Sequence, residues 1–221
     1  MDENWFEDAW RDREDRIYLD LFGDIGPGIY TLDAEVFERL RQANLDGRWL
    51  TYGVFECPPN DRRNTWLYVS SGLSNAWDDT APNPDSISGL GCEFLMETFK
   101  QSRWALVLLR QLVAYEILLA HERYPGKPVL GFWDWINIRT PIDNEASILT
   151  KTLFIPSPNF GELQQLSTGH FRFLQIVGIT GDALAFMNEH GVAKLYPLLL
   201  QNGAAPVIDP KRGSIPLEMR G

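Results

Sequence analysis

Cysteine and histidine are scarce in this sequence, with two of the first and three of the second in 221 residues. Cys57 and Cys92 form no CxxC pair, so neither a disulfide framework nor a structural zinc site is expected. His121 has Glu122 beside it but lacks the second histidine that a helical zinc site places four residues away. His170 and His190 are solitary, and no metal and no cofactor is expected. A GxSxG elbow is absent, and so is a glycine-rich phosphate loop ending in Lys-Ser/Thr. Ser88-Gly89-Leu90-Gly91 leads into a strand rather than opening a helix, the reverse of a dinucleotide-binding turn. Long apolar runs are missing too. The longest stretches without a formal charge, 64–77 and 195–208, hold fourteen residues each and contain Gly, Pro or Asn. A membrane span needs about 20 apolar residues. Asp2 and Glu3 stand where a secretory signal would be basic and then apolar, so the expected location is the cytoplasm.

Positive charge is also short. Lys and Arg number 20 against 30 Asp and Glu, a formal net charge of −10. Nucleic-acid binders show a basic field, so no nucleic-acid partner is expected. Residues 1–24 hold nine acids and three arginines, and account for six of the ten net negative charges. That stretch reads either as a solvated acidic segment or as a surface that steers a basic partner. What the chain does have is apolar bulk: 8 Trp, 12 Phe and 7 Tyr exclude global disorder. The length suits one large domain, which buries roughly 70% of the surface its unfolded form exposes.

The pattern along the chain predicts an acidic helical lead-in over residues 1–24, with Trp5, Ala9 and Trp10 as a weak apolar stripe, followed by a single domain over 25–221. A second helix has Thr31 as its cap, Asp33 and Glu35 at its positive end, and Leu32, Val36, Phe37 and Leu40 on one face. Strands are expected at Trp49–Glu56, Thr65–Ser71 and Gly91–Phe99. The third alternates Cys92, Phe94 and Met96 against Glu93, Leu95, Glu97 and Phe99. The strongest helix signal covers 102–123, where Trp104, Leu108, Leu112, Tyr115 and Leu119 keep helical spacing. Further strands are read at 129–138, 150–155 and 171–179, then helices at 181–190 and 191–201, the second weakened by Pro197. A closing hairpin is expected from Val207-Ile208 and Ile215–Leu217. Without strict βαβ alternation, the fold class is α+β, a mixed sheet packed by helices.

Glu93 and Glu97 could serve as an acid–base pair, or be solvated or ion-paired on a strand face, the commoner role. A small-molecule-binding or hydrolytic site would have to be assembled from scattered Glu93, His121, Asp143 and His170. Trp66, Tyr68 and Trp77 are either core residues or anchors for a partner, since large rings with few rotatable bonds suit interfaces. Asp78, Asp79 and Asp85, on the loop that follows, could engage Arg or Lys of that partner.

Five segments, taken in order, resemble the Suppressor of fused (SUFU) domain family. They are Tyr68–Ser74, Ser88–Phe94, Pro141–Ser147, Phe173–Ile179 and the Arg212-Gly213 turn after Asp209. Cys92 departs from the aromatic residue often found there. The resemblance implies the fold of that family's N-terminal domain and a non-enzymatic, protein-binding role. In animals the family restrains Gli-type transcription factors, clasped with the help of a further C-terminal domain that is not seen here. The resemblance therefore points to the bacterial single-domain type, for which an immunity role against polymorphic toxins is implied. A basic toxin domain would suit the acidic chain, and Trp66, Tyr68, Trp77, Asp78, Asp79 and Asp85 are the expected contact residues.

Overall fold

The computed structural model describes residues 4–161 and 163–218, leaving Asp2 and Glu3 of the acidic run outside the described residues. The chain opens with α1 (Trp5–Arg11), which runs through a π-helical stretch (Asp12–Tyr18) into α2 (Leu19–Phe22). Then come β1 (Ile29–Thr31), α3 (Ala34–Arg39), a 3-10 turn (Gly47–Thr51), β2 (Gly53–Cys57), β3 (Trp66–Ser71) and β4 (Ile87–Thr98). Helix α4 (Arg103–Ala120) leads to β5 (Trp135–Asn137), β6 (Lys151–Pro156), β7 (Gln164–Leu166) and β8 (Gly169–Ile179). Two helices, α5 (Gly181–His190) and α6 (Val192–Gln201), precede the short β9 (Val207–Ile208).

The nine strands form one sheet in the order β1-β2-β3-β4-β8-β6-β5, with β7 on β8 and β9 on β4. Pairing is antiparallel except for β4 with β8 and β4 with β9. Alternation along the central strands sorts their side chains to two faces. Phe94, Met96, Phe154, Leu174 and Ile176 join α3 and α4 in one cluster. Leu95, Phe171 and Phe173 meet Ile17, Tyr18 and Phe22 of the N-terminal helix. Leu153, Ile155, Val177 and Ile179 meet α5 and α6. The result is a mixed sheet between helical layers, an α+β fold as expected.

Several local expectations need correction. Thr31 ends β1 and does not cap α3; Asp33 does, its side chain accepting from the Val36 N–H at 3.0 Å. Trp49 lies in the 3-10 turn, so β2 starts at Gly53. The strand read at 129–138 shrinks to three residues, because Trp133 takes φ 76° and Gly131 N–H turns back onto Asp134. Pro197 does not stop α6: Leu195, Leu198 and Leu199 are buried, and about 1.5–3 kcal/mol each outweighs the roughly 3 kcal/mol of an internal proline. The final hairpin does not form. β9 pairs in parallel with β4 instead, and Arg212 donates to the Gly178 carbonyl, 2.7 Å away. Along α4 the innermost side chains are Ala105, Leu109, Val113 and Leu118, while Trp104 and Tyr115 are half-buried on its flank.

Candidate functional site

Glu93 and Glu97 leave the solvent altogether, being 0% and 2% exposed. This sets aside the solvated reading for both, while Glu93 keeps the ion-paired one through Arg13. The chain reverses after β3, and that turn wraps backbone donors around Glu93. Its Oε1 accepts from the N–H groups of Gly72 and Ser74, at 3.0 and 2.9 Å, and from Ser74 Oγ at 2.7 Å. Ser70 Oγ donates to its other oxygen and accepts from the Phe94 N–H. Among the described residues its one ion-pair partner is Arg13, 1% exposed and 3.9 Å from Oε1, which reaches Ser71, Ser74 and Asn75 as well. A buried carboxylate surrounded by donors and a guanidinium is a satisfied charge that holds two elements in place. Two glycines make the turn possible. A Cβ at Gly89, where φ is +55°, would lie 2.6 Å from the carbonyl oxygens of Leu73 and Asn75, and one at Gly72 would enter the Tyr52 ring.

The expected contact residues do not form one patch. Tyr68 is fully buried, and its hydroxyl accepts from the Ser102 N–H at 2.7 Å, so it secures the start of α4. Trp66 sits half-buried at the far end of β3, roughly 17 Å of strand from Ser71. Trp77, Asp78 and Asp79 do come together, at the mouth of a cavity of about 220 Å³ whose walls include Arg48, Tyr52 and His121. Trp77 is half-buried against Phe6, ring centroids 4.3 Å apart, with the Arg48 guanidinium 5.9 Å from its ring centroid. Its indole N–H has no hydrogen-bond partner among the described residues. Asp78 is exposed and 3.3 Å from Arg48; Asp79 and Asp85 are exposed and make no ion pair among the described residues. Sequence reasoning missed Arg48, Tyr52 and Phe6. They reach Trp77 from far along the chain, and no local pattern marks them.

The four residues of the scattered hydrolytic reading stay apart. Glu93 is sealed, and His121 packs on Trp49 with centroids 4.9 Å apart. Of the four, only His121 lines any of the cavities described. Among the described residues no group of three His, Cys, Asp or Glu is placed to hold a metal ion. Both cysteines are free and buried; burial pushes the Cys57 thiol up to about 12, far from a reactive thiolate. No helix of the described residues is long and apolar enough to cross a membrane.

A family model described as Suppressor of fused protein (SUFU) matches residues 48–213. No curated protein sequence matches the chain. Among solved structures, a SUFU homolog from Neisseria gonorrhoeae is 21% identical with a TM-score of 0.58, covering 88% of this chain and 88% of its own. A chain of the Sufu-Fu complex is 19% identical with a TM-score of 0.61, covering 93% of this chain and 90% of its own. Drosophila Suppressor of Fused is 20% identical with a TM-score of 0.58 over 81% of this chain. That match takes in 48% of the fly protein, so this chain spans about half its length. At such identities the likeness in structure establishes the fold.

Proposed function

This chain belongs to the Suppressor of fused family, and on that premise we propose that it is a protein-binding module, not an enzyme. Its partner is a basic toxin domain, which it neutralises as an immunity protein. The observation that carries this reading is the fate of the motif residues. Glu93 is sealed and fully engaged inside the fold, and Asp143, the other motif carboxylate of the hydrolytic reading, lines none of the cavities described. What remains on the surface beside the motif is a half-buried tryptophan rimmed by Asp78 and Asp79. An aromatic anchor with a charged rim is how protein interfaces concentrate their energy. That a relative of this fold is found in a Sufu-Fu complex supports the same class of function.

The test is co-expression with each candidate toxin domain found encoded beside the gene, followed by calorimetry on the purified pair. Protection of growth is expected, together with a complex whose association slows as salt is added. Replacing Trp77 by Ala with Asp78 and Asp79 by Asn should weaken the complex by at least about a hundredfold, since one buried aromatic anchor alone contributes about 2 kcal/mol or more. A triple variant that binds as tightly as the native chain overturns the placement. Failure to protect against or bind any adjacent toxin domain overturns the immunity role.

A further inference from the structure

The largest cavity described, about 800 Å³, lies on the flank of α4 and shares no residue with the Trp77 site. One wall is α4 itself, with Trp104 and Tyr115. The others are the turn after α3 and the segment from Trp135 to Asn144. Its charged lining is wholly basic: Arg39, Arg41, Lys127 and Arg139, with no Asp or Glu. The chain as a whole carries three acids for every two bases, so a groove of one sign, and the minority sign, is a local construction. Arg39 is paired with Glu35, and Lys127 lies 5.8 Å from the Tyr124 ring centroid. Arg41 and Arg139 make no ion pair among the described residues.

Backbone geometry adds an independent observation. Arg41, Arg139 and Asn144 have φ of 58°, 63° and 60°, half of the non-glycine residues in the left-handed region among the described residues, and all three line this groove. At Arg41 this conformation closes α3, the Arg41 N–H donating to the Glu38 carbonyl and that of Gln42 to the Phe37 carbonyl. At Asn144 it closes a turn onto the Pro141 carbonyl, so helix end and turn fix the backbone of both groove walls. Trp135, at the edge strand of the sheet, leaves 41% of its surface in solvent at the same place.

We propose that this groove docks an acidic protein segment carrying apolar side chains, its carboxylates paired by Arg41, Lys127 and Arg139 and its apolar groups laid against Trp104, Tyr115 and Trp135. Guanidinium groups bind carboxylates with two parallel hydrogen bonds, and aromatic walls supply contact area with little loss of rotamer freedom. The occupant is thus opposite in charge to the partner proposed for the Trp77 rim, and the groove does not depend on that assignment. A chain with two such faces can hold a basic and an acidic protein surface at once.

The experiment titrates the full chain against short labelled peptides that alternate Leu and Phe with Glu, with Gln or with Lys, and against an oligothymidylate of matching length. The Glu peptide is expected to bind at least about tenfold more tightly than the Gln peptide, with affinity falling steeply as salt rises. Arg41→Gln with Arg139→Gln should remove most of that preference, Arg139→Lys should retain part of it, and the Trp77/Asp78/Asp79 variant should leave it unchanged. Thermal melts of every variant confirm that the fold is intact; should the double variant melt early, Lys127→Gln, on an exposed side chain, gives the same reading. Equal binding of the Glu and Gln peptides, or no loss in the arginine variants, overturns the proposal. Oligothymidylate binding as tight as that of the Glu peptide overturns the protein segment in favour of a nucleic acid. Loss of Glu-peptide binding in the Trp77 variant would place the acidic ligand at the other face and overturn it too.

Discussion

Two charged regions sit on either side of this sheet, and they are built in opposite ways. Around Glu93, residues close together in the sequence turn inward and satisfy one another: Ser70, Gly72 and Ser74 donate to a carboxylate that no solvent reaches. Along α4, Arg41, Lys127 and Arg139 arrive from separate parts of the chain, and none of the three has an ion-pair partner among the described residues. The Glu93 carboxylate is satisfied without a partner. The second is left with unused capacity. Short motifs in this chain mark what the fold needs in order to close, and the charged and aromatic side chains available for recognition along α4 come from outside those motifs.

The sharpest way to break that comparison is to remove the charge at Glu93. Glu93→Gln keeps the shape but leaves the buried Arg13 guanidinium with Glu14 alone as counter-charge, 3.6 Å away, and breaking a buried pair from one side costs up to about 3–5 kcal/mol. Urea unfolding should show that loss; a variant as stable as the native chain would mean the junction is not the internal support described. Next comes the hydrophobic contribution under the groove. Leu112 is 4% exposed, and Leu112→Ala should cost about 2–5 kcal/mol, read as a lowered melting temperature. An unchanged melt would remove α4 from its place on the sheet.

Glu116 offers a third test, because it is a buried carboxylate without the company that Glu93 enjoys. Burial raises its pKa to about 7, opposed by the Leu130 N–H, which donates to it, and assisted by the charge of Asp134. A carboxyl held above its unfolded value favours the folded state while protonated, and that contribution fades as pH rises from about 4.5 through about 7. Glu116→Gln keeps an acceptor for Leu130 and cannot ionise. It should match the native chain near pH 4 and exceed it at pH 8 by up to about 3 kcal/mol. Parallel stability curves for the two proteins would contradict the assignment. The smallest effect is expected at the rim: Asp79→Asn, at an exposed position, should shift stability by no more than about 0.5 kcal/mol while slowing association with a basic partner.

Elements with a strong period were legible in the sequence. The spacing of Leu108 and Leu112 and the alternation of Cys92, Phe94 and Met96 place α4 and β4 on each other as found. The acidity of Glu93 and Glu97 misleads, because local pattern says nothing of donors brought in from Arg13 or Thr65. The hairpin at 207–217 fails for a similar reason. Val207 pairs with Glu97, more than a hundred residues earlier, and that partner outcompetes the nearby strand-like residues. Of the candidate site, the grouping of Trp77 with Asp78 and Asp79 at one cavity could be read from a ring set among acids. Tyr68 could not be told from a surface residue, since burial depends on Ser102 and α4 closing over it. The basic groove was hidden by the net charge, which averages over the molecule what the fold separates.

The parallel pairing of β4 with β8 also has a consequence in time. Cys92 must meet Arg172, eighty residues further along the chain, before the middle of the sheet exists. At about 5–20 residues per second of synthesis, β4 waits roughly 4–16 s beside β3 with its other edge open. Through that interval its apolar run, Phe94 to Met96, stands as a template for any passing strand. The newborn chain is therefore most at risk of mispairing while half made, and a chaperone that covers the far edge of β4 during those seconds would raise the yield of folded protein without touching its final stability.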